Sequence, residues 1–292
     1  MAGSTEVNWP DAVWQDINAA IAKEMAVRTA QKVFPTMVLE NEPTEVANEV
    51  IDFSNHSIKE GLTKQFVEIY QEFPLTSTQV SKEAEKHYCR TLARMVAKSV
   101  ALAEDTVLFQ GKNGALPPNV KADQADAAVG GLLGEAGPKD ADDGNPNKVS
   151  KPIDVSQPKA AHAGVKYGEN VFSAVATGIA KLTTKGQAAK FALFLPIGVY
   201  ADTFVPPSPA SLVTTSERIR PLVEGGYYGT ATLPPDKGLL VALAGEPTSL
   251  YMGHEARIEF VRKEGSKYFF RVVERIQFVA RDPRAFVLMN FV

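Results

Sequence analysis

The stretch from Thr78 to Gly111 constrains the fold of this chain more than any other. Apolar residues recur along it every four positions, and small apolar neighbours widen the stripe: Ala84, Tyr88, Leu92, Val96 and Val100, with Cys89, Ala93 and Ala97. Most of the charged side chains fall outside this stripe, as they do in an amphipathic helix with one buried face. The pattern predicts a helix of about 27 residues and roughly 40 Å, which is long enough to act as a structural strut.

The overall charge argues against a protein that binds nucleic acid through bulk electrostatics. The 292 residues include 31 basic and 34 acidic side chains, for a net charge of −3. No basic block dominates the sequence, and phosphate binding driven by charge needs one. A hydrophobic content of 45% is enough for a core, in one large domain or two ordinary ones.

The sequence offers no membrane or export signal. No apolar run approaches the roughly 20 residues that cross a bilayer. The N-terminus lacks the cationic start and apolar segment of a signal peptide. Cys89 is the only cysteine, so no intrachain disulfide can form and a reducing compartment fits. We therefore expect a cytoplasmic protein.

Three elements are predicted before the long helix. A helix runs from Pro10 or Asp11 to about Lys32, and a short strand follows at Val33–Leu39. A long hairpin is predicted from Val46 to Phe73, because two extended runs flank the turn residues of SNHSIKEG. A lone hairpin is only marginally stable in water, and both of its faces carry apolar residues. We expect another subunit to cover it.

The second half of the chain predicts helices first and strands last. A long loop rich in proline and glycine separates the strut from a helix near residues 166–187. A buried strand follows at Phe191–Pro196. From Tyr268 to Ala280 the even positions are mostly apolar or aromatic, which predicts a long strand with one buried side. Strands gathered late in the chain indicate the α+β class.

The residues provide no recognisable catalytic set, cofactor motif or metal site. There is no phosphate-binding loop, no dinucleotide-binding glycine motif and no nucleophile elbow. His56, His87, His162 and His254 have no metal-ligand spacing. Side chains two positions apart on a helix point in different directions, so His87 beside Cys89 indicates a core thiol rather than a nucleophile with its base. We predict no catalytic residues, no cofactor and no metal.

Four weaker signals each have a plain interpretation that we favour. The acidic tract at Asp140–Gly144 is similar to a calcium loop, but its glycine and its last ligand are misplaced, which favours a solvated loop. Tyr227-Tyr228 could stack a ligand, although such residues more often begin a strand. Trp14 is expected to be a core or interface anchor. The last arginines could form a polar rim or meet acidic residues of a neighbour, but a solvated face is the interpretation that we favour: Arg275, Arg281 and Arg284.

The order of these elements and four segments resemble a known family. The segments are PDAVWQDINAAIAKEM, VAKSVALAEDTVLFQG, LVEGGYYGTATLPPDKGLLVALAG and SLYMGHEARIEFVRKEGSKYFFRVVERIQFVARDPRAFVLMNF. Together they resemble the encapsulins, the linocin-like shell proteins of prokaryotic nanocompartments, whose fold is that of tailed-phage major capsid proteins. The tract around residues 134–165 departs from the family because it is longer and more acidic.

The resemblance implies an α+β, tailed-phage major-capsid-type fold. Its parts are an N-terminal helix, an extended hairpin loop, a long spine helix, an inserted α/β domain and a C-terminal β-layer. Mapped on this chain, they are a lumenal helix at 1–32, a peripheral body from 33–45 plus 78–115 plus 248–292, an extended loop at 46–77, and an inserted axial domain at 116–247.

The resemblance also implies a function. The chain would assemble with copies of itself into a closed icosahedral nanocompartment shell, enclose a cargo protein through a short targeting peptide, and catalyse nothing. Five residues would dock the cargo peptide: Trp14, Ile17, Ile21, Phe286 and Leu288. No specific nucleic acid and no membrane are expected as partners. The loop at 206–215 is the expected pore lining.

Two other functions remain open at this stage. The same fold builds the capsids of viruses and prophages, which package DNA, although a DNA-filled lumen favours a more basic subunit than this one. Linocin-like proteins have also carried protease and bacteriocin labels, which makes a soluble hydrolase a remote alternative. No nucleophile, base and oxyanion set supports that activity.

Overall fold

The structure is a computed structural model that describes residues 7–53, 55–59, 61–123, 130–138, 140–158, 166–206 and 211–292. The α-helices of this part are α1 Asp11–Met25, α2 Ser77–Ser81, α3 Glu83–Lys86, α4 Tyr88–Gln110, α5 Gly131–Ala136, α6 Glu169–Thr184, α7 Ile197–Asp202 and α8 Thr215–Ile219. Its strands are β1 Thr36–Val38, β2 Glu45–Ala47, β3 Val50–Asp52, β4 Ser57–Lys59, β5 Thr63–Gln65, β6 Val67–Thr76, β7 Lys121–Asp123, β8 Ile153–Val155, β9 Phe191–Pro196, β10 Gly226–Thr230, β11 Lys237–Ala242, β12 Thr248–Glu264, β13 Lys267–Ala280 and β14 Phe286–Phe291.

The predicted strut exists, but it is shorter than the apolar pattern indicates. The helix α4 holds 23 residues, and two short helices precede it. The break lies at His87, whose φ of 52° is left-handed. The buried carboxylate of Glu83 accepts hydrogen bonds from the backbone N–H of Cys89 at 2.6 Å and of Arg90 at 3.0 Å. A single helix over 78–111 is therefore wrong, because Glu83 caps a new start at residue 88.

The buried stripe of α4 is centred on its small residues. Cys89, Ala93 and Ala97 are fully buried, whereas Tyr88 is 38% exposed. Leu92 is only half-buried. Small side chains allow α1 to approach α4 closely, so the stripe is rotated from the one centred on Tyr88 and Leu92.

The body of the subunit is a five-stranded sheet in the order β1-β12-β13-β6-β7. The strand pairs β12–β13, β13–β6 and β6–β7 are antiparallel, and β1 joins the edge parallel to β12. The helices α1 and α4 cover one face of this sheet. The alternation predicted for 268–280 is confirmed by β13, where Phe270, Val272 and Ile276 are fully buried.

A second sheet has the order β10-β9-β11-β14-β8, and four of its five strands come from the segment 116–247 that the resemblance assigns to the inserted domain. The predicted strand Phe191–Pro196 is its buried β9. The helix α6 packs on one face so closely that a Cβ at Gly178 would lie 2.7 Å from Leu240 Cδ2. The strand β14, from the segment 248–292 that we predicted to belong to the body, pairs within this sheet.

The extended loop is also shorter than predicted. Two small antiparallel ladders, β2 with β5 and β3 with β4, span residues 45–65. The strand β6 belongs instead to the body sheet, between β13 and β7. Phe66 packs on Tyr251 and Val279 of the same subunit. The predicted hairpin over 46–73 is thus wrong beyond residue 65, because its own body covers the apolar residues that follow.

The first helix ends earlier than predicted, at Met25 rather than at Lys32. A short 3-10 turn follows at Ala30–Lys32. The strand after it is confined to Thr36–Val38, inside the predicted 33–39. The contacts that redirect the chain at residues 26–29 belong to a cluster of charged side chains.

Candidate functional site

The N-terminal segment is fastened to the body sheet by aromatic rings. Trp9 stacks on Phe270 with ring centroids 5.2 Å apart, and Trp14 lies 5.0 Å from Trp9. The Trp9 indole N–H donates to the carbonyl of Val80 at 2.9 Å. On β12, the N–H of Ile258 donates to the Asn18 side chain. The predicted role of Trp14 as an anchor is confirmed in the subunit's own core.

The five residues predicted to dock cargo do not share one open surface in the subunit. Ile17, Ile21 and Phe286 are fully buried. Trp14 and Leu288 are half-buried. The first three residues of the set lie on α1 beneath the body, whereas the last two lie on β14 in the other sheet. Peptide docking at these positions stays a prediction, and in this conformation only Trp14 and Leu288 offer accessible surface for it.

The extended loop is tied to the body along its outgoing half, residues 45–53, and exposes apolar side chains on its returning half. The N–H of Ile51 donates to the carbonyl of Arg281, and the Arg284 guanidinium lies 3.2 Å from the centre of the Phe53 ring. On the returning half, Ile58, which pairs with Ile51, is 57% exposed, and Leu62 is 53% exposed. The loop therefore presents apolar side chains to solvent beside a half that is fixed on the body.

A group of charged side chains that the sequence did not reveal lies between α1, α4 and the body sheet. We call it the buried cluster: Arg28, Gln31, Glu104, Asp105 and Glu274. The Arg28 Nη1 donates to Glu104 at 2.8 Å and to Glu274 at 3.1 Å. Gln31 donates to the second oxygen of Glu104 at 2.9 Å. The Asp105 carboxylate accepts from the backbone N–H of Thr29 and of Ala30.

These contacts explain why the chain turns after Met25. The acidic pair near the end of α4 accepts hydrogen bonds from four consecutive residues, 28–31. These bonds fix the direction in which the chain leaves α1. The only sequence signal was the pair Glu104-Asp105 itself, which occurs within the buried half of an amphipathic helix. Burial raises the pKa of Glu104 and of Asp105, and hydrogen bonds from Arg28 and the turn oppose the rise.

The opposite face of the body sheet carries a surface network of ion pairs. Its members alternate in sign across the strands: Glu42, Arg257, Glu259, Arg271, Glu68 and Arg275. Burial raises the pKa of Glu259, but hydrogen bonds from Arg271 and Arg257 outweigh it and hold the pKa below its ordinary value. The arginines that we expected at a rim or a neighbour pair within the subunit: Arg275 with Glu68, and Arg284 with Asp282.

The acidic tract is organised by a lysine and not by a metal ion. The Lys185 ammonium group is buried and donates to the carbonyls of Asp142, at 2.6 Å, and of Asn145. Asp143 pairs with Lys181 at 3.0 Å. The structure thus favours the plain interpretation over the calcium loop, because an amino group occupies the centre toward which the carbonyls point. Of the wider region 134–165, residues 139 and 159–165 lie outside the described residues.

The remaining candidates take the plain interpretation as well. Burial raises the pKa of the Cys89 thiol, which argues against a nucleophile. Tyr228 stacks inward on Phe194 in the strand β10. Within the described ranges, no group of three His, Cys, Asp or Glu side chains is arranged to hold a metal ion. His162 and residues 207–210 of the expected pore loop are outside those ranges.

Among the helices of the described residues, none is both long enough and apolar enough to cross a membrane.

The fold is shared with shell and capsid proteins along nearly the whole chain. The virus-like particle from Pyrococcus furiosus is matched at a TM-score of 0.66 and 12% identity, over 94% of this chain and 98% of that one. The capsid of an empty GTA particle is matched at a TM-score of 0.59 and 12% identity, over 90% of this chain and 89% of that one. The holo-SrpI encapsulin complex of Synechococcus elongatus PCC 7942 is matched at a TM-score of 0.55 and 10% identity, over 99% of this chain and 92% of that one.

A family model gives the sequence-level likeness. Residues 146–277 match the Linocin_M18 family, described as encapsulating protein for peroxidase. The chain has the fold of these shell and capsid proteins. The resemblance to encapsulins and the predicted tailed-phage capsid fold are both confirmed. The match includes the tract at 146–165, which lies in the region that we expected to depart from the encapsulin pattern. None of the curated proteins matches the chain.

Proposed function

We propose that the chain is the repeating subunit of an icosahedral protein shell that assembles in the cytoplasm, encloses cargo protein and catalyses no reaction of its own. One observation carries the proposal. The subunit of a virus-like particle is matched over 98% of its length by 94% of this chain. Because the likeness spans the body, the extended loop and the inserted domain together, it supports the assembly architecture and not only a shared core.

The extended loop is the part of the subunit that we assign to contact with a neighbouring copy. Its outgoing half is fixed on the body through Ile51 and Phe53, so the returning half paired with it is held in a defined position. The returning half exposes Ile58 and Leu62, which gain stability only if another surface covers them. A second copy of the chain supplies such a surface in a closed shell built from identical subunits.

The cargo is proposed to bind at the surface next to α1. Trp14 is the residue best placed to contact a peptide, since its ring is half-buried and lies beside the exposed face of the helix. Ile17 and Ile21 support the helix from beneath and do not touch the peptide in this arrangement. Leu288 would belong to a separate contact, because it lies in the sheet of the inserted domain.

Electron microscopy of the purified protein tests the shell. We expect uniform hollow particles at micromolar concentration. A monodisperse monomer or dimer under the same conditions would refute the proposal. Replacing Ile58 and Leu62 together with Asp should abolish the particles and leave a folded subunit. The matched control that combines Ile58→Val with Leu62→Ile keeps both side chains apolar and should keep the particles.

The cargo assignment needs its own experiment. Particles purified from the native host should contain one predominant second protein, identified by mass spectrometry. The change Trp14→Ala should lower its content about tenfold, as expected when an aromatic anchor is lost, while the particles persist. The change Gln15→Ala on the exposed side of the same helix is the control. Unchanged cargo content in the Trp14→Ala particles would remove Trp14 from the docking surface.

A capsid of a virus or prophage is the second candidate, because the GTA particle and a myovirus capsid share the fold. The contents of the particle discriminate between the two candidates. Particles that contain long DNA protected from nuclease support the capsid, and particles with a specific protein and no such DNA support the compartment. Hydrolysis that persists in empty particles would instead revive the remote alternative of a hydrolase.

A further inference from the structure

The buried cluster contains more negative than positive groups in a place that water does not reach. Glu104 and Glu274 are fully buried, and Asp105 is nearly so. Arg28 is the cation that contacts two of them, and it meets both through the same nitrogen, Nη1. The Oε1 of Glu274 and the Nε of Arg28 are buried without a hydrogen-bond partner among the described residues. The arrangement is therefore balanced for one ionised glutamate beside Arg28 and not for two.

The surroundings of the two glutamates offer no second cation among the described residues. From the segment after α1 they meet Arg28, and from α4 they meet Asp105, whose carboxylate is already held by Thr29 and Ala30. The neighbouring strands contribute residues that do not titrate: Met252 on β12, which contacts Gln31, and Ile69 on β6, which is paired with Glu274. An additional negative charge at this position must be neutralised by a proton or be expelled.

We propose that the buried cluster is a proton-dependent lock, in which a proton on the Glu104–Glu274 pair keeps the N-terminal segment on the body and loss of that proton at alkaline pH releases it. With the proton present, one carboxylate pairs with Arg28 and its neutral partner packs beside it. When the proton leaves, two carboxylates repel each other across one guanidinium group. Residues 7–31 can then move away and open the cluster to water, while the sheet stays paired.

The direction of the proton affinity supports this proposal. Burial, followed by the negative charge of Glu104, raises the pKa of Glu274 well above its ordinary value of 4.5, and the charge of Arg28 does not offset the rise. Stability that comes from the protonated form is fully present below pH 4.5 and is lost as the pH rises through the raised value. The lock thus opens on the alkaline side. The proposal concerns the subunit and does not depend on whether it assembles into a shell.

The chain carries its own reporter for release. Its two tryptophans, Trp9 and Trp14, both lie in the N-terminal segment and both pack on Phe270. Release should shift their emission to longer wavelength and raise acrylamide quenching about threefold, because the indole rings enter water. The full-length protein is titrated from about pH 6 to about pH 10 in its native assembly state. The variant Glu274→Gln should keep the emission of the closed state across this range.

Limited trypsin digestion gives an independent readout at the lock itself. Cleavage after Arg28 requires release of the N–H of Thr29 from Asp105. We expect its rate to rise about tenfold from neutral to alkaline pH, relative to cleavage after the exposed Lys59 in the same molecule. The variant Glu274→Gln should show less than about a twofold rise, as expected if opening no longer tracks the loss of a proton. The variant Glu72→Gln, at an exposed ion pair, should behave like the unchanged protein.

Two results would overturn the proposal. One is that the unchanged protein keeps the tryptophan emission of the closed state and its resistance to trypsin cleavage after Arg28 up to about pH 10. The other is a Glu274→Gln variant that releases the segment at the same pH as the unchanged protein. If Glu274→Gln fails to fold, Glu104→Gln removes the same negative charge from the other side and must also suppress release.

Discussion

The two faces of the body sheet accommodate charged side chains in different ways, one in water and one in the protein interior. Arg275 and Glu274 are neighbours on β13, yet one joins the surface network and the other joins the buried cluster, because successive residues of a strand point to opposite faces. The surface network alternates acid and base, and water screens any mismatch. The buried cluster has three carboxylates for one arginine. Similar ion pairs therefore contribute different amounts to the stability of the fold, according to whether water can replace a lost partner.

Removing the buried cation should have the largest effect. The change Arg28→Met leaves Glu104 and Glu274 buried without their cation, which costs about 3–5 kcal/mol in the free energy of unfolding. Urea unfolding at about pH 7 measures it. The change Arg28→Lys, which keeps the charge but not the shape of the guanidinium group, should give an intermediate stability. An Arg28→Met protein as stable as the unchanged one would contradict the contrast between the two faces.

The two faces should also respond to pH in opposite directions. The raised pKa of Glu274 means that its contribution is present below pH 4.5 and is lost as the pH rises, so Glu274→Gln should become increasingly stabilising toward about pH 9. The lowered pKa of Glu259 means that its contribution is present above pH 4.5 and is lost as the pH falls. Glu259→Gln should therefore destabilise at about pH 7 and have little effect at about pH 3. Thermal unfolding midpoints across this range test both, and effects of the same sign would refute the contrast.

Within the surface network, Glu68 is the residue whose removal matters most. It accepts from Arg271 at 3.0 Å and from Arg275 at 2.8 Å, and its side chain is 18% exposed. We expect Glu68→Gln to lower the free energy of unfolding by about 1 kcal/mol at low salt. In about 0.5 M salt the loss should shrink, whereas the effect of Arg28→Met should not. Equal salt dependence at both positions would show that the cluster is not shielded from ions.

The smallest effect is expected at the edge of the sheet. Arg262 pairs with Glu72 and Glu264 in full contact with water. The change Arg262→Met should leave the unfolding midpoint unchanged at any salt concentration, since an exposed pair contributes little. A clear drop in the unfolding midpoint would mean that the ion pairs on this face act cooperatively. Their contribution to stability would then be closer to that of the buried cluster.

The elements that could be predicted from the sequence are those whose burial follows a short-range pattern. The continuous apolar run Phe191–Pro196 is a buried strand, and the alternation after Tyr268 is the long strand β13. In both cases the signal needs only the neighbours in sequence. The fold was identified from a family resemblance, which the succession of helix, loop, strut, inserted domain and strands carries together with four sequence segments.

The errors arise where a distant side chain decides the local structure. The break at His87 depends on how Glu83 folds back onto the start of α4, and helical periodicity continues through it. The early end of α1 depends on hydrogen bonds that Glu104 and Asp105 accept from residues 29–31, which lie up to 76 positions away in the sequence. Glu274 is 246 positions from Arg28. No sequence window contains both members of such a pair, so the buried cluster could not be predicted.

The lysine within the acidic tract has a consequence for how this segment behaves in different solutions. A dissolved ion that organises a loop can be diluted, exchanged or removed by a chelator. Lys185 is attached to the same chain as the carbonyls it contacts, so its effective concentration is fixed by the fold. Dilution, ion exchange or a chelator therefore leaves the contacts of residues 142–145 in place, as if the chain carried its own counterion.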